Sequence, residues 1–123
     1  MRITSAESQI MEALWRRSPL TTEDIVAEVG PAQAWAEGTV RTLINRLLKK
    51  KAIRGERDGA RYVYRPLVER AQYVLSESRG LLDRLFEGEV TPLVAHFARH
   101  RALSPADVKK LKQLIAELDD DDA

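Results

Sequence analysis

The chain has no cysteine, only two histidines and six glycines among 123 residues. Without cysteine there are no disulfides, no thiolate metal sites and no cysteine nucleophile. No apolar run approaches the ~20 residues needed to cross a bilayer, so membrane insertion is not expected. The start, Met1-Arg2-Ile3-Thr4-Ser5, lacks the long apolar core of a signal peptide, which points to the cytoplasm. Glycine-rich phosphate loops, internal repeats and low-complexity linkers are all missing. The acidic residues fall on faces that read as exposed, so no paired-carboxylate site is expected. These absences leave no enzyme chemistry and no cofactor site.

What is present is a soluble composition, 44% hydrophobic and 32% charged, long enough for one domain or two very small ones. The net charge is only +1, but it is unevenly spread. Residues 41–65 hold 9 basic and 2 acidic residues, whereas residues 71–123 are net negative. An anionic partner is therefore expected for the first part alone.

Periodicity predicts a first helix over about Ser5–Arg16, capped at Ser5, with Ile10, Met11, Leu14 and Trp15 on one face. A short second helix runs from Thr22 to Val29, with Thr21 or Thr22 as cap and Gly30-Pro31 as its stop. A third is expected over Glu37–Lys50. Its Val40, Leu43, Ile44, Leu47 and Leu48 form a buried stripe. Its other face carries Thr39, Thr42, Asn45 and Lys49, framed by Arg41, Arg46 and Lys50. Ile53–Arg57 and Arg61–Arg65 read as strands around an Asp58-Gly59 turn, giving a hairpin with Arg54, Arg57, Arg61 and Arg65. Tyr62 and Tyr64 share one strand face, which predicts packing on the third helix.

Beyond Pro66 the pattern is helical again: about Glu69–Phe86, a helix capped at Thr91-Pro92 and ending near His100, and a last helix opening at Ser104-Pro105. The acidic end, Asp119–Asp122, reads as a frayed tail. The expected fold class is mainly α with a small β-hairpin. A winged helix-turn-helix over residues 1–68 precedes a helical dimerisation region over residues 69–123. A helix fits the major groove of double-stranded DNA, where Asn, Thr and Arg bond base edges while rim cations bond phosphates. Thr39, Arg41, Thr42, Asn45, Arg46, Lys49, Lys50, Arg57 and Arg61 are the candidate DNA-binding residues. The C-terminal helices are too few to bury their apolar stripes alone. Leu82, Leu85, Phe86, Leu93, Val94, Phe97, Leu111, Leu114, Ile115 and Leu118 are thus the candidate homodimer interface. The alternative is a winged-helix protein-interaction module that never touches DNA; it calls for an acidic or apolar third-helix face. A second rival is a metal-dependent hydrolase built on His96 and His100. Their spacing can hold a metal, but there is no neighbouring glutamate base and no third ligand, and Arg99 and Arg101 repel cations. The reading is therefore no metal.

Thr39-Val40-Arg41-Thr42-Leu43-Ile44-Asn45-Arg46-Leu47-Leu48-Lys49-Lys50 resembles the recognition-helix signature of the BlaI/MecI/CopY family of penicillinase-type repressors. The likeness continues through Glu56-Arg57-Asp58-Gly59, Tyr62-Val63-Tyr64, residues 77–86, Leu93–Phe97 and Leu103-Ser104-Pro105. It implies a homodimeric repressor on a palindromic operator, usually of resistance or stress genes. In the antibiotic-responsive branch it implies a signal-activated protease that cuts the repressor, often at Asn-Phe. The matching bond here is His96-Phe97. Copper-responsive members use a C-terminal cysteine cluster, which this chain lacks. Lys51 stands where the family commonly has glycine after the recognition helix.

Overall fold

The computed structural model describes residues 2–122. The order is α1 (Ser5–Arg16), α2 (Thr22–Gln33), α3 (Glu37–Lys49), β1 (Ile53–Asp58), β2 (Arg61–Pro66), α4 (Arg70–Leu85), α5 (Val90–Arg99) and α6 (Pro105–Asp122). The fold is mainly helical with one two-stranded antiparallel hairpin. The chain forms two compact units, one through Val74 and one from Leu75 onward, so the first turn of α4 belongs to the first unit.

The first unit has a true core. Ile10, Met11 and Leu14 of α1, Ile25 of α2, and Val40, Ile44 and Leu47 of α3 are buried with Leu20, Ile53 and Val63. Each such side chain contributes about 1.5–3 kcal/mol on leaving water, so this unit can hold itself together. The hairpin is fastened to it twice. Leu20 and Tyr64 exchange both backbone bonds, at 3.2 and 2.8 Å, and the Leu67 amide donates to the Ala52 carbonyl at 2.8 Å. Trp15 donates its indole N–H to the Val68 carbonyl at 2.8 Å and stands 5.4 Å from the Tyr73 ring. That packing draws the start of α4 into the first unit.

The second unit is different in kind. None of its described residues is buried, although α4, α5 and α6 each carry large apolar side chains. Its ends are nevertheless well formed. Ser104 and Asp107 make a reciprocal capping box at the start of α6, each bond 3.0 Å.

Several sequence expectations shift. The cap of α1 is Thr4, not Ser5, because Thr4 and Glu7 bond each other's amides in a capping box. At α2 the same device joins Thr21 and Asp24. Helix α2 does not stop at Gly30-Pro31 but runs on to Gln33, ending at Ala34 in the left-handed region. Gly30 permits a close approach instead: a Cβ there would stand 3.3 Å from the Trp35 carbonyl, tighter than most such contacts. In α5, Thr91 lies inside the helix and Glu89 precedes it without a side-chain cap. The acidic end expected as a tail lies within α6, which runs through Asp122. In the hairpin turn Asp58 still pairs with Arg61, and Gly59 alone takes the positive φ that the turn requires.

Candidate nucleic-acid interface

Helix α3 turns its apolar stripe inward and leaves Thr39, Arg41, Thr42, Asn45, Arg46 and Lys49 exposed. Arg41 pairs with Glu37 at 2.8 Å across one turn, and that bond, aided by the carboxylate's charge, holds the guanidinium pKa above its ordinary value. Both partners are more than half exposed, so the pair is weak and can open toward a phosphate. Thr42 donates its hydroxyl to the Gly38 carbonyl at 3.0 Å, and that bond sets its direction. Arg46 and Lys49 have no acidic partner among the described residues. The exposed face of α3 therefore offers an amide, hydroxyls and cations together.

The hairpin brings one further arginine, Arg61, to a cleft that Glu23 and Asp24 of α2 also line. Arg41 of α3, Arg61 and Tyr62 of β2, and Thr21 and Thr22 at the start of α2 line one open cleft of about 640 Å³. Asn45 and Tyr64 border a smaller recess beside it with Thr22 and Arg41. Tyr64 packs partly on the core while Tyr62 stays half exposed, and their rings meet edge to face at 5.5 Å. Tyr62 lies over Gly55, where any Cβ would collide with its ring. Within the hairpin, the Arg65 guanidinium bonds Glu56 and holds that carboxyl below its ordinary range. Arg61 pairs loosely with Asp58 at 3.1 Å, and Arg57 is exposed.

Lys50 is a correction to the expected DNA-facing set. Its ammonium donates to the Arg2 carbonyl at 2.7 Å and to Glu7 Oε1 at 2.5 Å. Lys50 therefore secures the end of α3 to α1 rather than facing the open side. Lys51 follows with φ +61°, the left-handed residue of a Schellman ending. The Ala52 amide reaches the Leu47 carbonyl at 3.0 Å and the Lys51 amide the Leu48 carbonyl at 3.1 Å. Lys51 itself is exposed just past the end of α3.

Thr22 and Tyr62 were not among the candidates from sequence. Both border the cleft, and only the fold, which brings the start of α2 to the hairpin, reveals it. The proposed dimer residues divide by exposure. Leu82, Phe86, Leu93, Val94 and Leu111 are half-buried, while Leu85, Phe97, Leu114, Ile115 and Leu118 are exposed. His96 and Phe97, the bond singled out above, are both exposed on α5.

A profile of the penicillinase repressor family matches residues 3–117. The Bacillus licheniformis penicillinase repressor is 28% identical over 116 residues, 94% of this chain and 91% of that protein. The Staphylococcus aureus methicillin resistance regulatory protein MecI is 28% identical over 113 residues, 92% of each. Among solved structures, the DNA-binding domain of the BlaI repressor superimposes with a TM-score of 0.53 at 29% identity, covering 58% of this chain and 88% of that one. The monomeric form of Bacillus licheniformis BlaI in complex with the blaP half-operator gives 0.55 at 29% identity, covering 59% and 89%.

Proposed function

The chain belongs to the penicillinase repressor family, and from that premise we propose that it is a transcriptional repressor, not an enzyme, which binds a palindromic DNA operator as a homodimer in the cytoplasm. The observation that carries this reading is the face of α3. Thr42, Asn45 and Lys49 are exposed together, Arg41 and Arg46 frame them, and Arg61 of the hairpin shares the cleft with Arg41. Asn45 and Thr42 suit base edges in the major groove, and Lys49, Arg46 and Arg57 suit phosphates. An interaction module without DNA would present an acidic or apolar face there instead. The half-operator complex of the relative supports one winged-helix unit per half-site. The family resemblance favours resistance or stress genes as targets, with release by a signal-activated protease cutting at His96-Phe97.

Polarisation titration against the chain's own promoter region tests the reading. Affinity should fall steeply with salt as phosphate neutralisation releases counterions. Asn45→Ala should relax discrimination between operator and mismatched sites by about 1–3 kcal/mol. Lys49→Ala should weaken all sequences alike. Undetectable or salt-independent binding overturns the proposal.

A further inference from the structure

The two histidines of this chain stand four residues apart, His96 in the last turn of α5 and His100 at its C-cap. The His100 Nδ1 lies 2.9 Å from the His96 carbonyl oxygen. A carbonyl only accepts, so in this bond Nδ1 is the donor, and in the neutral imidazole the Nε2 lone pair stays open. A backbone carbonyl fixing one nitrogen of an imidazole is the usual support of a metal-ligating histidine. The two ring centres are 4.4 Å apart. An ion held about 2.1 Å from one nitrogen of each ring, at the near-right angle of tetragonal nickel or copper, sets ring centres roughly 4.6 Å apart. The rings already stand at that separation. Phe86 and Phe97, with ring centres 6.2 and 6.1 Å from His96, restrict how that ring can turn. Both histidines are exposed and open to an ion from solvent.

We propose that His96 and His100 form a two-ligand site for a divalent transition ion of the nickel or copper class. Imidazole nitrogens select these ions over magnesium and calcium, which prefer oxygen. No group of three His, Cys, Asp or Glu gathers among the described residues, so water fills the remaining positions. That composition gives a binding site, not a hydrolytic centre, and needs no third protein ligand. Arg99 and Arg101 flank the pair on the exposed surface. They trim affinity through charge repulsion but do not occupy the nitrogen lone pairs. A bound ion ties the C-cap to the last turn of α5, the helix that also carries Leu93, Val94 and Phe97. The site does not depend on the operator-binding reading.

The chain offers a clean background, because it has no cysteine and no other histidine. Calorimetric titration of the untagged full chain with Ni²⁺, and with Mg²⁺ in parallel, tests the site. The expected result is saturable Ni²⁺ binding at one ion per chain and none for Mg²⁺. His96→Ala and His100→Ala should each weaken Ni²⁺ binding roughly tenfold or more, since each leaves one imidazole and no chelate. Far-UV circular dichroism should stay unchanged, as both side chains are exposed. Absence of Ni²⁺ binding at millimolar concentration overturns the proposal. So does loss in only one of the two variants, which would mean a single-histidine contact.

Discussion

Glu7 is wholly buried, and a carboxylate out of water survives only with partners. Burial by itself would raise its pKa. The Lys50 ammonium and the Thr4 amide and hydroxyl outweigh that and hold it below its ordinary value. Its second oxygen, Oε2, has no partner among the described residues, so the site tolerates little further loss. Glu7→Gln keeps the shape and the acceptor for Thr4 but leaves Lys50 without its anion. Breaking a buried pair costs about 3–5 kcal/mol. Lys50 is about one-third exposed and can turn to water, so a cost of roughly 2 kcal/mol is expected here. Urea denaturation at neutral pH measures it. The pH dependence has a definite sign. Because the folded carboxyl binds its proton less readily than the unfolded one, the contribution is complete above the ordinary glutamate range. It is lost as pH falls through that range toward the lowered folded value. The stability gap between the native chain and Glu7→Gln should therefore close on acidification. A gap that is constant with pH, or that widens in acid, would contradict the assignment.

At the scale of elements, the end of α3 shows how the chain manages without the expected glycine. The Schellman bonds are intact, yet Lys51 holds φ +61°, where a side chain with a Cβ is strained by roughly 1–2 kcal/mol. Lys51→Gly relieves that strain but loosens the unfolded chain, which offsets about half of it. A net gain of about 0.5–1 kcal/mol is expected, read as a rise of a few degrees in the thermal midpoint. If Lys51 also contacts phosphate, the same variant should bind operator more weakly while melting later, a combination that mere destabilisation cannot give. Helix α1, helix α3 and the hairpin are legible in sequence to within a residue or so, because periodicity and turn chemistry are local signals. The overrun of α2 was not legible. Gly30-Pro31 reads as a stop, and only the approach of Trp35 to Gly30 reveals why glycine stands there. The exposed residues of α3 follow from its helical wheel, with one exception. Lys50 lies at the wheel's edge, and its partner Glu7 is 43 residues away, beyond the reach of any local pattern.

For the whole molecule, the contrast between the two units decides what must be added to a single chain. The first buries a core; the second has no buried residue among those described, and Leu85, Leu114, Ile115 and Leu118 are each more than half exposed. Apolar surface of that kind is stable in water only when covered, and a second copy offers a self-complementary cover. A single chain weighs 13.9 kDa, so the native protein should scatter light as a particle of about 28 kDa. Leu114→Asp combined with Leu118→Asp places two charges on the α6 stripe and should return the mass to that of one chain. The melting of the first unit, whose core is separate, should change little. Operator binding then supplies an independent check. A dimer on a palindrome neutralises about twice as many phosphates as one winged-helix unit on a half-site. The slope of log affinity against log salt should therefore fall by about half in the double variant, and full-site affinity should drop to the half-site level. A monomeric native chain, or a variant whose salt slope equals that of the native protein, would show that the C-terminal helices do not couple two DNA-binding units.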